Sequence, residues 1–175
     1  MRLFILLSFF LFISCNEENK LVSSNNNKIP LSIANNFSMT YTDSMLTKSI
    51  VSGKTHYDFS NDPLNYSELY DDVEFKIFDN NKTSNINSDY AIIYNSFRFM
   101  EFRGNVVINT SDGELLKTDQ LFYDIENEWL FTEKKFEYSD NTNKIIAQRL
   151  DSNRDFTDLV TGNLTGTINV SESEE

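Results

Sequence analysis

The chain has one histidine, His56, and one cysteine, Cys15. Those two counts remove most nucleophile and metal chemistry. A Ser-His-Asp triad lacks its base, a multi-His zinc site lacks ligands, and a Cys/His pair would need these two residues together. His56 reads as a strand residue, on the surface or half-buried. The nearest thing to a metal motif is "DSNRDFTD" (151–158), in which Asp151, Asn153 and Asp155 match the first half of a calcium loop. Such a loop needs Gly at its sixth position and Glu at its twelfth, where this chain has Phe156 and Gly162, and helices on either side. Acids are plentiful, but no carboxylate pair sits in apolar surroundings that would raise a pKa for acid–base work. Phosphate loop, dinucleotide fingerprint and nucleophile elbow are absent. The sequons at Asn36, Asn65, Asn81, Asn109, Asn163 and Asn169 follow from the abundance of Asn. The expectation is no enzyme, no metal and no cofactor.

Cys15 has a different context. The opening "MRLFILLSFFLFISC" has a basic Arg2, an apolar run from Leu3 to Ile13, and small Ser14 before the cysteine. The run is shorter than the ~20 residues that span a bilayer and suits a signal peptide. The order resembles a bacterial lipobox, with Phe12 where Leu is usual and Leu11 one place back. The alternative, an ordinary signal peptide with an incidental cysteine, would leave an exported protein with one unpaired thiol. The expected organisation is a lipoprotein signal peptide over 1–14 and a lipidated Cys15 that anchors the protein to a membrane. A flexible linker through 34 follows, then a β domain over 35–171 and an acidic tail at 172–175.

The body of the chain must position whatever function remains. Its 175 residues suffice for one domain. A formal charge of -12 and a pI near 4.5 argue against nucleic acid and against electrostatic attachment to an anionic bilayer. Fifteen Phe and eight Tyr against five Gly and two Pro favour strands and turns. Period-two alternation then dominates from Phe37 onward. "FSMTYT" (37–42), "VEFKIF" (73–78), "NVVIN" (105–109) and "TGTINV" (165–170) read as strands, with turns at 79–82, 110–113, 139–143 and 161–163. A weak repeat of thirty residues lays 88–106 over 118–136: Ser88 meets Thr118, Asp89 Asp119, Ala91 Leu121, Ile93 Tyr123, Phe99 Trp129 and Val106 Phe136. Repeated hairpins that cannot bury a face alone must stack, and an elongated, folded-over antiparallel sheet is the expected product.

These segments, taken in order, resemble the LptC family, the periplasmic component of the lipopolysaccharide exporter, in its lipobox-bearing type from Bacteroidetes. "NNFSMTYTDSMLTKSIVSGKTHYDF" is similar to the family's opening. "INSDYAIIYNSFRFMEFRGNVVINTSDGELLKTDQLFYDIENEWLFTEKKFEY" carries the strongest likeness, and "RLDSNRDFTDLVTGNLTGTINV" resembles its closing strands. The resemblance implies an all-β jellyroll of the LptA/LptC/OstA-like kind, a U-shaped sheet with an open apolar groove. It implies a non-enzymatic role in which the groove accepts lipopolysaccharide acyl chains from the subunits of an inner-membrane ABC transporter. The chains then pass to a periplasmic LptA-like jellyroll bridge by edge-to-edge strand pairing. The implied location is the periplasmic face of the inner membrane. Acidic residues after Cys15 resemble signals for the outer surface, which leaves that location open as well. The groove candidates are Phe37, Met39, Tyr41, Phe75, Ile77, Ala91, Ile93, Phe97, Phe99, Val106, Ile108, Leu121, Tyr123, Trp129 and Phe131. Each singly reads as core packing, and the expectation concerns the row. The alternative function is a surface-exposed β-rich lipoprotein that binds glycan or protein.

Overall fold

The computed structural model describes residues 28–79, 82–94 and 98–167. The signal segment, Cys15 and the acidic tail lie outside them. Ten strands form one antiparallel sheet: β1 (Ser32–Asp43), β2 (Leu46–Phe59), β3 (Tyr66–Asp79), β4 (Lys82–Tyr94), β5 (Phe99–Thr110), β6 (Leu115–Asp124), β7 (Trp129–Ser139), β8 (Lys144–Asn153), β9 (Leu159–Thr161) and β10 (Leu164–Thr167). Their order in space is their order in sequence through β8, which pairs β10 along one half and β9 along the other. β9 and β10 are thus two pieces of one ninth strand. β1 begins at Ser32, inside the segment expected to be linker, because Ser32–Asn35 pair with Thr55–Asp58.

A line of register shifts crosses the sheet and folds it. Shifts fall between Ser52 and Thr55, Tyr70 and Val73, Asn87 and Tyr90, Arg103 and Val106, Thr118 and Phe122, and Thr132 and Lys135. Bulges of this kind bend a strand and increase its twist. Asn36, Asp71, Asp72, Gly104, Asn105 and Arg149 lie along the line with left-handed φ. Asn, Asp and Gly adopt that region most readily. At Gly104 (φ 75°) a Cβ would also come within 2.6 Å of the Asp89 carboxylate, so a side chain there would be strained and would displace that carboxylate. Gly53 serves another need: a Cβ would stand 3.0 Å from the Phe37 ring, which lies across β2 at the corner.

The bend divides the strands into two arms. Arm A holds 46–52, 73–79, 82–88, 106–110, 115–118, 135–139 and 144–148. Arm B holds 55–59, 66–70, 90–94, 99–103, 120–124, 129–132 and 150–153. They close face to face. Phe75 of arm A lies 6.0 Å from Phe102 and 6.1 Å from Tyr123 of arm B, ring centre to ring centre. In a flat sheet β3 and β6 would be about 14 Å apart.

The repeat of thirty has a physical counterpart. Ser88 and Thr118 are both buried on the inner face at the bend, and each hydroxyl donates to the carbonyl two residues on, at Tyr90 (3.0 Å) and Gln120 (3.2 Å). Each repeat is one hairpin pair with a hydroxyl at its corner.

Packing differs between the faces. The inner faces of both arms form one apolar cluster that includes Val51, Leu69, Phe75, Met100, Phe102, Leu121, Leu130 and Leu150, all at 1% exposure or less. Each such side chain contributes about 1.5–3 kcal/mol by leaving water. The outer face of arm B carries a second, smaller cluster of Phe59, Tyr66 and Ile92. It opens a ladder of rings that runs from Phe59 through Tyr66, Tyr94 and Phe99 to Phe122 and Phe131, with neighbouring centroids 4.9–6.4 Å apart. Beneath the ladder Glu101 is buried, and it accepts from Arg103 (2.6 and 2.8 Å) and Gln120 (2.5 Å). The outer face of arm A is polar, with Glu74, Lys76, Asn85, Asn109, Lys117 and Glu137 at equivalent positions.

Candidate functional site

The structure splits the candidate row between two faces. Phe37, Met39, Tyr41, Phe75, Ile77, Ala91, Ile93, Val106, Ile108, Leu121 and Tyr123 face the inside of the bend. Phe99, Trp129 and Phe131 do not. They stand on the outer face of arm B, where Phe99 is paired with Tyr94 and with Asp124, Trp129 with Asp124, and Phe131 with Phe122. Directly paired residues share a face, so each hairpin turn resets the count and alternation cannot be carried through it. Phe97 lies outside the described residues.

Most of the inner row is packed against itself, so the open groove expected from the resemblance narrows to a cleft. The cleft opens between the arm tips, with a volume of about 450 Å³, within the size range of ligand sites. Tyr41, Phe75, Ile77, Phe78, Tyr123 and Ile125 make its apolar wall, and Lys48, Arg98, Asp43, Glu126 and Glu128 are among its charged rim. β1 leaves one side uncovered: Tyr41 is 46% exposed, against 1% for Phe75. A smaller cavity of about 180 Å³ lies beside Met39, His56 and Ile93. His56 is half-buried beside the Phe37 ring (5.4 Å), its buried Nε2 has no partner, and burial lowers its pKa. No cluster of metal-ligating side chains occurs among the described residues.

The other end of the mouth is closed by the loop between β8 and β9. Arg154 enters it with its side chain 8% exposed and donates to Asp79 at the tip of arm A (2.6 Å). The same guanidinium donates to Glu128 in the β6–β7 turn of arm B (2.9 Å) and to its neighbour Asp155 (3.2 Å). Burial works against the charge, but the Asp155 hydrogen bond and the field of Glu128 outweigh it and hold the guanidinium above its ordinary pKa. Phe156 follows, buried, with φ 51° and its ring 5.1 Å from Tyr138 of arm A. The loop braces itself through Asn153, which donates to Thr157 (2.7 Å) and accepts from the Asp158 amide (3.0 Å). Asn153 and Asp155, two of the residues that make "DSNRDFTD" look like an ion loop, are thus spent on bonds that build a strap. Between strap and arm A a crevice of about 10 Å³ remains.

Sequence reasoning missed Arg154, Asp79, Glu128 and Phe156. Their signal was faint: an arginine and a phenylalanine inside a polar turn, with partners 75 and 26 residues away.

The family model described as "Lipopolysaccharide-assembly, LptC-related" matches residues 2–160. No functionally curated protein matches the chain. A folded-over meander with an apolar interior is the architecture that resemblance implied, and the match spans most of the sequence. The chain belongs to the LptC family and has that family's role in lipopolysaccharide transport.

Proposed function

We propose that this protein is a non-enzymatic lipid relay whose inner face takes the acyl chains of lipopolysaccharide. The observation that carries the reading is the cleft at the arm tips, apolar in its wall, charged at its rim and continuous with the inner row. Moving one fourteen-carbon chain into water costs on the order of 10 kcal/mol, at ~0.8 per methylene. A carrier must therefore offer apolar surface at every stage, and it must leave the sugar and phosphate head in water. A cleft open to solvent along one side meets both needs.

The edge strands of the sheet supply the handover. Among the described residues β1 pairs β2 alone, with Ile33 and Tyr41 exposed along it, and β10 pairs β8 alone. Such edges accept a further strand. In this reading β1 faces the transporter in the inner membrane, and β10 faces an LptA-like bridge. A lipid on Cys15 keeps the assembly at the membrane. The test is in-cell photo-crosslinking from Ile77, with Asn109 on the outer face of arm A as control. Lipopolysaccharide adducts from Ile77 and none from Asn109 are expected. Adducts from neither position, with normal folding, would overturn the reading in favour of a surface lipoprotein that binds glycan or protein.

A further inference from the structure

We infer that the strap between β8 and β9 is a gate, and that Phe156 holds the place of a lipid tail in the closed half of the mouth. The inference rests on the acyl-chain reading above and adds a residue that controls how far a tail advances.

Three observations converge on it. The strap is the point where the tip of arm A is tied to the tip of arm B, through Asp79, Arg154 and Glu128. Lifting it removes the polar tie between the two tips and leaves the apolar contacts below them in place. Its partners are suited to release, because the carboxylates of Asp79, Glu128 and Asp155 are 41%, 59% and 45% exposed and regain water as the guanidinium leaves. Phe156 is the only residue of the strap turn that joins the apolar cluster among the described residues, and its ring rests on Tyr138 of the inner face. Its φ of 51° is an uncommon conformation for a bulky side chain. Contacts that hold a ring in such a conformation can be exchanged for a chain of the same apolar character.

The geometry then orders the events. A tail enters the uncovered cleft beside Tyr41, Phe75 and Ile77, where nothing need move. Advance toward the β8–β10 edge requires the space under the strap. There the tail takes the apolar surface of Phe156, and the Arg154 latch opens to water. The closed state fills that surface with a protein side chain when no lipid is present, which keeps the interior dry.

The test uses the full chain in nanodiscs with lipopolysaccharide as the probe. A photo-crosslinking residue is placed at Ile77 in the open cleft or at Tyr138 under the strap. In the native chain, lipid adducts from Ile77 should exceed those from Tyr138. Arg154→Gln, at a residue that borders the cleft as well as the strap, should raise the ratio of Tyr138 to Ile77 adducts about fivefold. Asp79→Asn, which removes one of the three charges on Arg154 and keeps the size of the side chain, should raise it about twofold. Equal labelling at both positions in the native chain, or no rise in that ratio in either variant, would overturn the gate. Label at Ile77 alone in every protein thus removes the gate and leaves the carrier. Label at neither position removes both.

Discussion

The two halves of the mouth are built from the same strands and end differently. At the β1–β3 side the arms stand apart, and about 450 Å³ lies open over Phe75, Ile77 and Tyr123. At the β8 side one loop reaches across and leaves about 10 Å³, no more than a single water. The difference does not come from the apolar row, which continues through both halves. It comes from one buried cation and one ring in a turn. Access to an apolar interior is thus set by what bridges the strand ends, while the strands themselves set how much apolar surface lies below.

The largest expected effect sharpens that contrast in stability. Phe102 is fully buried in the closed interior, and Phe102→Ala should cost about 3–5 kcal/mol in denaturant unfolding. Ile77 faces the cleft, so Ile77→Ala should lie near the low end for its class, about 2 kcal/mol, because the space it leaves joins an existing opening. Equal costs would remove the distinction between filled and open halves.

Next comes the latch. Arg154→Ala should cost about 1–3 kcal/mol, since it strands three carboxylates that can still reach water. Arg98→Ala, at the open half, removes an exposed pair with Glu126 and should change stability by less than about 0.5 kcal/mol. Comparable losses from the two would mean the strap is no more structural than a surface pair.

Acid gives a smaller effect with a defined sign. Hydrogen bonds from Asn143 and Thr142 hold Asp140, in the turn between β7 and β8, down to about 2. Asp124 is held low chiefly by Asn127 and Asp62 by the Leu64 amide. A carboxyl depressed in the fold stabilises above its unfolded pKa of ~3.9 and loses that contribution as pH falls through the folded value. Unfolding midpoints should therefore fall between pH 4 and pH 2, and Asp140→Asn should make that fall shallower. A steeper fall in the variant would contradict the assignment.

Much of the fold could be read from alternation and from the thirty-residue repeat, because both are local consequences of a hairpin. Ser88 and Thr118 repeat in sequence and repeat a hydrogen bond in space. The inner row from Phe37 to Tyr123 was legible for the same reason. Phe99, Trp129 and Phe131 were not, since pairing across a turn places them with Tyr94, Asp124 and Phe122, and the aromatic ladder on arm B looks like the inner row in one dimension. The latch was the least legible. Arg154 and Asp79 are brought together by the closure of the whole sheet, and no pattern of spacing records that.

The most direct test of the account is the distance between the arms. Spin labels at Asp112, on the tip of arm A, and Glu126, on the tip of arm B, report it by pulsed electron resonance in the full chain. The account predicts that the distribution shifts to longer distances when lipopolysaccharide is added and returns when it is withdrawn. A distribution that stays unchanged at saturating lipid would contradict it.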